Sequence, residues 1–149
     1  MRERFTVMMK ESMKAGDKRR LATVRLIQAA LKDRDIEARG AGKTVSDDEI
    51  LSLLQKMVKS RQESLSIYEK AGREDLASQE RDEIAIITEF LPQQLSEADA
   101  NAAILAAIAE TGAASMKDMG KVVAVLKAKY TGQMDFAKAS AQVKAALNG

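Results

Sequence analysis

The 149-residue chain is 46% hydrophobic but only 3% aromatic, and its 24 Lys and Arg nearly balance its 22 Asp and Glu, leaving a net charge of +2. It has no cysteine and no histidine. That excludes disulfides, thiolate nucleophiles and thiolate metal sites, and removes the commonest general base and metal ligand near neutral pH. No apolar run approaches the roughly 20 residues of a membrane span, and Met1-Arg2-Glu3-Arg4 is followed by no apolar signal core, so the expected setting is the cytoplasm, with no membrane, metal or cofactor.

Apolar residues recur at helical spacing along the chain. A first helix is predicted from about residue 2 to Ala15, with Phe5, Met8, Met9 and Met13 on one side. Gly16 ends it, and Asp17 stands where it can cap the next. The second helix carries Leu21, Val24, Ile27 and Leu31 and fades at Gly40-Ala41-Gly42. Ser46-Asp47-Asp48-Glu49 is a capping box, with Ser46 accepting from the amide three residues on and Glu49 reaching back. The third helix uses Ile50, Leu54, Met57, Leu65 and Tyr68 and stops at Gly72. Glu74 and Asp75 open the fourth, at the positive end of its dipole; Leu76, Ile84, Ile87 and Leu91 form its apolar face.

The single proline, Pro92, marks a change of composition. Residues 1–95 hold 18 of the 24 basic and 17 of the 22 acidic residues, and the alanine-rich remainder holds 6 and 5. Beyond it Ser96 caps a fifth helix with Ile104, Leu105 and Ile108, ending at Gly112. Ser115-Met116-Lys117-Asp118 starts a sixth, carrying Met119, Val122, Val123 and Leu126, which Gly132 breaks. Asp135 caps a seventh with Phe136, Val143 and Leu147. No segment alternates with period two. The expectation is an all-α fold, with a four-helix N-terminal domain over 1–94 and a small three-helix domain over 95–149.

Two groups of cations stand out. Lys18, Arg25, Lys32 and Arg39 recur every seven residues, and a helix drifts only about 20° per heptad, so they form one basic stripe. Such a stripe suits a phosphate backbone; the alternative is a solvated face paired with Asp33, Asp35 and Glu37. Lys117 and Lys121 lie one turn apart at the start of the sixth helix, where free amides attract anions such as RNA phosphates. Here too the alternative is that Ser115 and Asp118 occupy those amides and the lysines are solvated. The acidic pairs Asp47-Asp48 and Glu74-Asp75 sit at helix starts, which the dipole explains. No nucleophile elbow and no phosphate-binding glycine pattern is present. Five scattered aromatics make a poor stacking platform, so an RNA ligand would be a folded one, read by backbone and shape.

Four segments resemble the YqeY-like family of GatB/YqeY-domain proteins. They are AGDKRRL at 15–21 followed by Arg25-Leu26, YEKAGREDL at 68–76, the stretch from Glu83 through Phe90-Leu91-Pro92 to Leu95, and GAASMKDMGKV at 112–122. They occur in the family's order, spread along the chain from residue 15 to residue 122. The resemblance implies a helical N-terminal domain and a small C-terminal domain similar to the tail of GatB, a component of the aspartyl/glutamyl-tRNA amidotransferase. That tail is associated with tRNA recognition, while the amide chemistry lies elsewhere in that enzyme. Its implied partner is tRNA or a tRNA-amidotransferase-type complex, met by the segment from Asp118 to Gly132 and the last helix. Lys117, Lys121, Lys127 and Lys129 are then the candidate RNA contacts. Gln133 and Met134 depart from the family pattern, in which a glycine-flanked basic residue is frequent at that turn.

The resemblance leaves three expectations open. The first is a non-catalytic accessory protein binding tRNA through its C-terminal domain. The second is a component of a carbon–nitrogen ligase with glutamine as amido donor, although neither the amidase serines nor the kinase-like cradle of GatB is present. The third is a protein–protein adaptor without RNA contact.

Overall fold

Short polar side chains, Asp17, Ser46 and Ser96, start the second, third and fifth helices of this chain, and left-handed glycines, Gly16 and Gly112, end the first and the fifth. The computed structural model describes residues 1–148, so the last residue of the expected 95–149 domain lies outside them. Seven α-helices run in chain order among the described residues: α1 (Arg2–Ala15), α2 (Lys18–Gly40), α3 (Asp47–Lys70), α4 (Glu74–Thr88), α5 (Glu97–Thr111), α6 (Met119–Tyr130) and α7 (Phe136–Asn148). A 3-10 turn, Met116–Asp118, precedes α6. No strand occurs among the described residues, and the fold is all-α. The chain divides into two compact units, Met1–Pro92 and Gln93–Gly149.

The caps follow from local chemistry. The Arg20 amide donates to the Asp17 carboxylate at 3.0 Å, the Glu49 amide to the Ser46 hydroxyl at 3.2 Å, and the Asp99 amide to the Ser96 hydroxyl at 3.1 Å. Asp135 accepts from the amides of Ala137 and Lys138. Each satisfies a donor that the first helical turn leaves without a partner. The capping box closes differently from its usual form, because Glu49 Oε1 accepts from the Ser46 hydroxyl itself at 3.2 Å.

In the first unit, α2 packs against α1, α3 and α4, and α3 and α4 form the most extensive pair. Phe5, Val24, Ile27, Leu31, Ile50, Leu53, Leu54, Ile87 and Phe90 make one core. The rings of Phe5 and Phe90 meet edge to face at 4.8 Å between centroids. Fully burying an aliphatic or aromatic side chain of this kind contributes about 1.5–3 kcal/mol, enough to override the mediocre helix propensity of Val and Ile. The second unit has its own core of Ala103, Ile104, Ala107, Val122, Leu126, Met134, Ala139 and Val143.

Three expectations need correction. Met13 is 55% exposed and Ser12 is buried in its place, because the Ser12 hydroxyl donates to the Met8 carbonyl at 2.7 Å and enters the core satisfied. Leu105 is 63% exposed, while Ala103 and Ala107 are buried. The sixth helix does not start at Ser115, which makes no side-chain cap, but at Met119, after the 3-10 turn.

Candidate functional site

The C-terminal candidates sit on the 3-10 turn and on α6. Val122 and Leu126 fix the rotation of α6 by entering the core of the second unit, and the lysines fall where those two do not. Lys117 lies in the 3-10 turn rather than in a helical first turn; Lys121 is in the first turn of α6, and Lys127 and Lys129 are in its last. All four are exposed. The six residues from Lys121 to Lys127 place the latter about 120° round the helix, so the two do not share a face.

Their charge environments differ. Lys129 Nζ lies 2.6 Å from Glu110 Oε2, and this hydrogen bond and charge pair raise the lysine above its ordinary pKa. Lys117, Lys121 and Lys127 form no ion pair among the described residues. Asp118 accepts from the Ala114 amide at 3.1 Å. The Gly132–Asp135 turn is structural in this chain. Met134 is only 5% exposed and packs into the core, the Gln133 carbonyl accepts from the Leu95 amide at 2.9 Å, and Gln94 Nε2 donates to the Gly132 carbonyl.

On α2, Lys18, Arg25, Lys32 and Arg39 are exposed together on the side opposite the buried Thr23, Val24, Ile27 and Leu31. None of the four forms an ion pair among the described residues. Of the carboxylates expected to neutralise them, Asp35 is held in two hydrogen bonds by Arg2, at 2.7 and 2.9 Å, which lower its pKa, with the charge of Arg39 adding to the effect. Glu37 lies 4.0 Å from Arg34. Two other basic residues of this helix reach toward α4, Arg19 to Asp82 and Arg20 to Glu89 at 2.5 Å.

A polar cluster that the sequence does not announce lies between α3 and α4. Arg61 Nε donates to Glu83 Oε2 at 3.0 Å, and Gln79 Nε2 donates to Glu83 Oε1 at 3.2 Å. Nearby, Glu80 Oε2 is sealed from solvent without a hydrogen-bond partner among the described residues. Burial pushes the Glu80 carboxyl pKa up, and the charge of Glu83 adds to it. The one helix spacing that links Glu80 to Glu83 cannot reveal a partner on α3. No group of three or more acidic side chains is arranged to hold a metal ion among the described residues. No helix among them is long and apolar enough to cross a membrane.

Comparison with known proteins adds the following. A sequence profile described as "Yqey-like protein" matches residues 2–147. The chain is 32% identical over 98 residues to "Altered inheritance of mitochondria protein 41, mitochondrial" of Lachancea thermotolerans, covering 64% of this chain and 51% of that protein. The protein of the same name in Vanderwaltozyma polyspora is 32% identical over 85 residues, 56% of this chain and 44% of its own. An uncharacterized protein of Schizosaccharomyces pombe is 28% identical over 86 residues, 58% of this chain and 68% of its own. The chain thus spans about half the length of the first two relatives.

Proposed function

The chain belongs to the Yqey-like protein family, and from that premise we propose that it is a non-catalytic accessory protein that binds tRNA, or a complex handling tRNA, through its C-terminal unit. The supporting observation is the distribution of charge within that unit. Its carboxylates serve the fold: Glu97 and Asp99 stand in the first turn of α5, Asp135 caps α7, Asp118 accepts from Ala114, and Glu110 takes Lys129. Lys117, Lys121 and Lys127 remain exposed and outside any ion pair among the described residues. Exposed lysines free of carboxylates are the groups that exchange counterions for RNA phosphates.

The same part of the chain is the part that resembles the tail of GatB, and its lack of aromatic platforms suits folded RNA read through its backbone. A ligase activity in this chain would need a nucleophile beside a base, and since the sequence carries no nucleophile elbow, in this reading the amide chemistry belongs to a partner. Two relatives carry names that place those proteins in mitochondria; tRNA is the ligand of this reading there as in the cytoplasm expected for this chain.

The test is a titration of the purified chain with total tRNA at two salt concentrations. Phosphate contacts from Lys117 and Lys121 give log affinity against log salt a slope of about −1.4 to −1.8, and a third from Lys127 on the other side of α6 steepens it to about −2 to −3. Binding no tighter than that of an unrelated protein of equal charge would end the RNA reading and leave the adaptor role.

A further inference from the structure

The helix α2 has two apolar sides. One, formed by Thr23, Val24, Ile27 and Leu31, is buried against its neighbours. On the other, Ala22, Leu26, Ala29 and Ile36 follow at intervals of four, three and seven, the spacing of a helix-packing seam, with Asp33 at the one intervening place. All are exposed, Leu26 by 45% and Ile36 by 57%. Single exposed aliphatics are ordinary on a protein surface. Two large ones in register with two alanines form a row about 21 Å long.

The cations Lys18, Arg25, Lys32 and Arg39 lie along one flank of this row. They are the basic side chains of α2 that the fold leaves unpaired, whereas Arg19, Arg20 and Arg34 each reach a carboxylate. Asp35, which helix geometry sets beside Lys32 and Arg39, gives its hydrogen bonds to Arg2 and meets Arg39 only through charge at longer range.

We propose that this outer face of α2 docks an amphipathic helix of a partner protein, with apolar residues on the Leu26–Ile36 row and acidic residues facing Lys18, Arg25, Lys32 and Arg39. Charge complementarity selects that occupant. A phosphate backbone would answer the cations and leave Leu26 and Ile36 in water. A second copy of α2 brings the same basic flank, so an antiparallel pair sets like charges together. A parallel pair offers only Asp33 and Glu37 against the four cations. An acidic amphipathic helix satisfies both the row and its flank, in the manner of helix-in-groove recognition.

The probe is a fluorescent helical peptide covering about 21 Å, with leucines at seam spacing and glutamates on the flank, titrated against the whole chain. Its control carries lysines in place of the glutamates. Saturable micromolar binding of the acidic peptide is expected, with none of the basic one. The Leu26→Ser/Ile36→Ser and Arg25→Glu/Lys32→Glu variants should each weaken binding at least tenfold, with helical content unchanged by circular dichroism. Failure of the acidic peptide to bind overturns the proposal, as does equal binding by the serine variant. Total tRNA that loses affinity to Arg25→Glu/Lys32→Glu but ignores the serine variant would assign the face to RNA instead. A dimer in sedimentation that the serine variant disperses would assign it to a second copy.

Discussion

Arg61 on α3 and Glu83 on α4 meet at 3.0 Å with only 18% and 11% of their side chains exposed. Arg61 also donates from Nη1 to the Met57 carbonyl at 3.1 Å, and Gln79 shares the carboxylate. A pair so shielded contributes little over a well-packed apolar pair, but half of it is costly, because the remaining charge stays desolvated. Arg61→Met is therefore expected to lose about 3 kcal/mol in urea denaturation, leaving Glu83 beside Glu80 without a cation. Arg61→Met combined with Glu83→Leu should regain most of that loss, and the two singles should not add. A single-variant cost below about 0.5 kcal/mol, the range of ordinary surface changes, would contradict a shielded pair.

Glu80 gives the opposite sign. Burial raises its pKa, the charge of Glu83 adds, and Arg61 opposes. A carboxyl whose folded pKa lies above its unfolded value takes up its proton first in the native state, so it weakens the fold at neutral pH and ceases to do so as pH falls through the folded value. Glu80→Gln should raise Tm near neutral pH, and the gain should shrink toward zero at about pH 4, near the ordinary glutamate value. A Tm at or below that of the parent at neutral pH would count against it.

Two glycines of the C-terminal unit should respond in opposite directions to alanine. Gly112 ends α5 at φ +66, and its amide and that of Ala113 close the last turn onto Ala109 and Ile108. A Cβ there meets nothing within 4 Å, so the cost is the backbone strain alone. Gly112→Ala should destabilise by about 1–2 kcal/mol. Gly120 lies within α6, also with nothing within 4 Å, and its φ is not positive. Gly120→Ala should stabilise by about 0.5 kcal/mol. Equal effects in thermal denaturation would mean that the end of α5 or the start of α6 is misplaced.

What could be read in advance follows from how local each determinant is. Asp17, Ser46, Ser96 and Asp135 cap helices through bonds to amides two or three residues on, so four adjacent letters suffice. Ser12 replaced Met13 in the core because a back-bonded hydroxyl counts as apolar there, which hydrophobic spacing cannot register. Ala103 and Ala107 were buried ahead of Leu105 because closely packed helices favour small residues at the contact. The Arg61–Glu83 pair spans 22 positions and two helices, and no single-helix pattern contains it. The stripe on α2 was legible as a stripe, yet its lack of partners depends on Arg2 taking Asp35 from 33 residues away. The lysines of the C-terminal unit were legible as charges; that Lys129 is tied to Glu110 was not.

That difference between Lys129 and its neighbours shapes the RNA prediction. Lys117 and Lys121 are exposed, outside the core and outside any ion pair among the described residues, so replacing both with Glu should leave the fold intact by circular dichroism. If they touch phosphates, the slope of log affinity for tRNA against log salt should become shallower by about 0.7–0.9 for each. Lys127→Glu, about 120° round the helix from Lys121, should alter that slope only if the RNA wraps both sides of α6. Lys129→Glu sets two carboxylates against each other in place of the Glu110 pair, so its first effect should be a slightly lowered Tm rather than a change in the salt slope, as expected of a solvent-screened pair. The matching swap of Lys18 and Arg25 should leave the tRNA slope unchanged, since that face of α2 is assigned to a protein helix. Loss of tRNA binding in the α2 swap, with the Lys117→Glu/Lys121→Glu chain binding as before, would move the RNA site to the N-terminal unit and overturn both assignments at once.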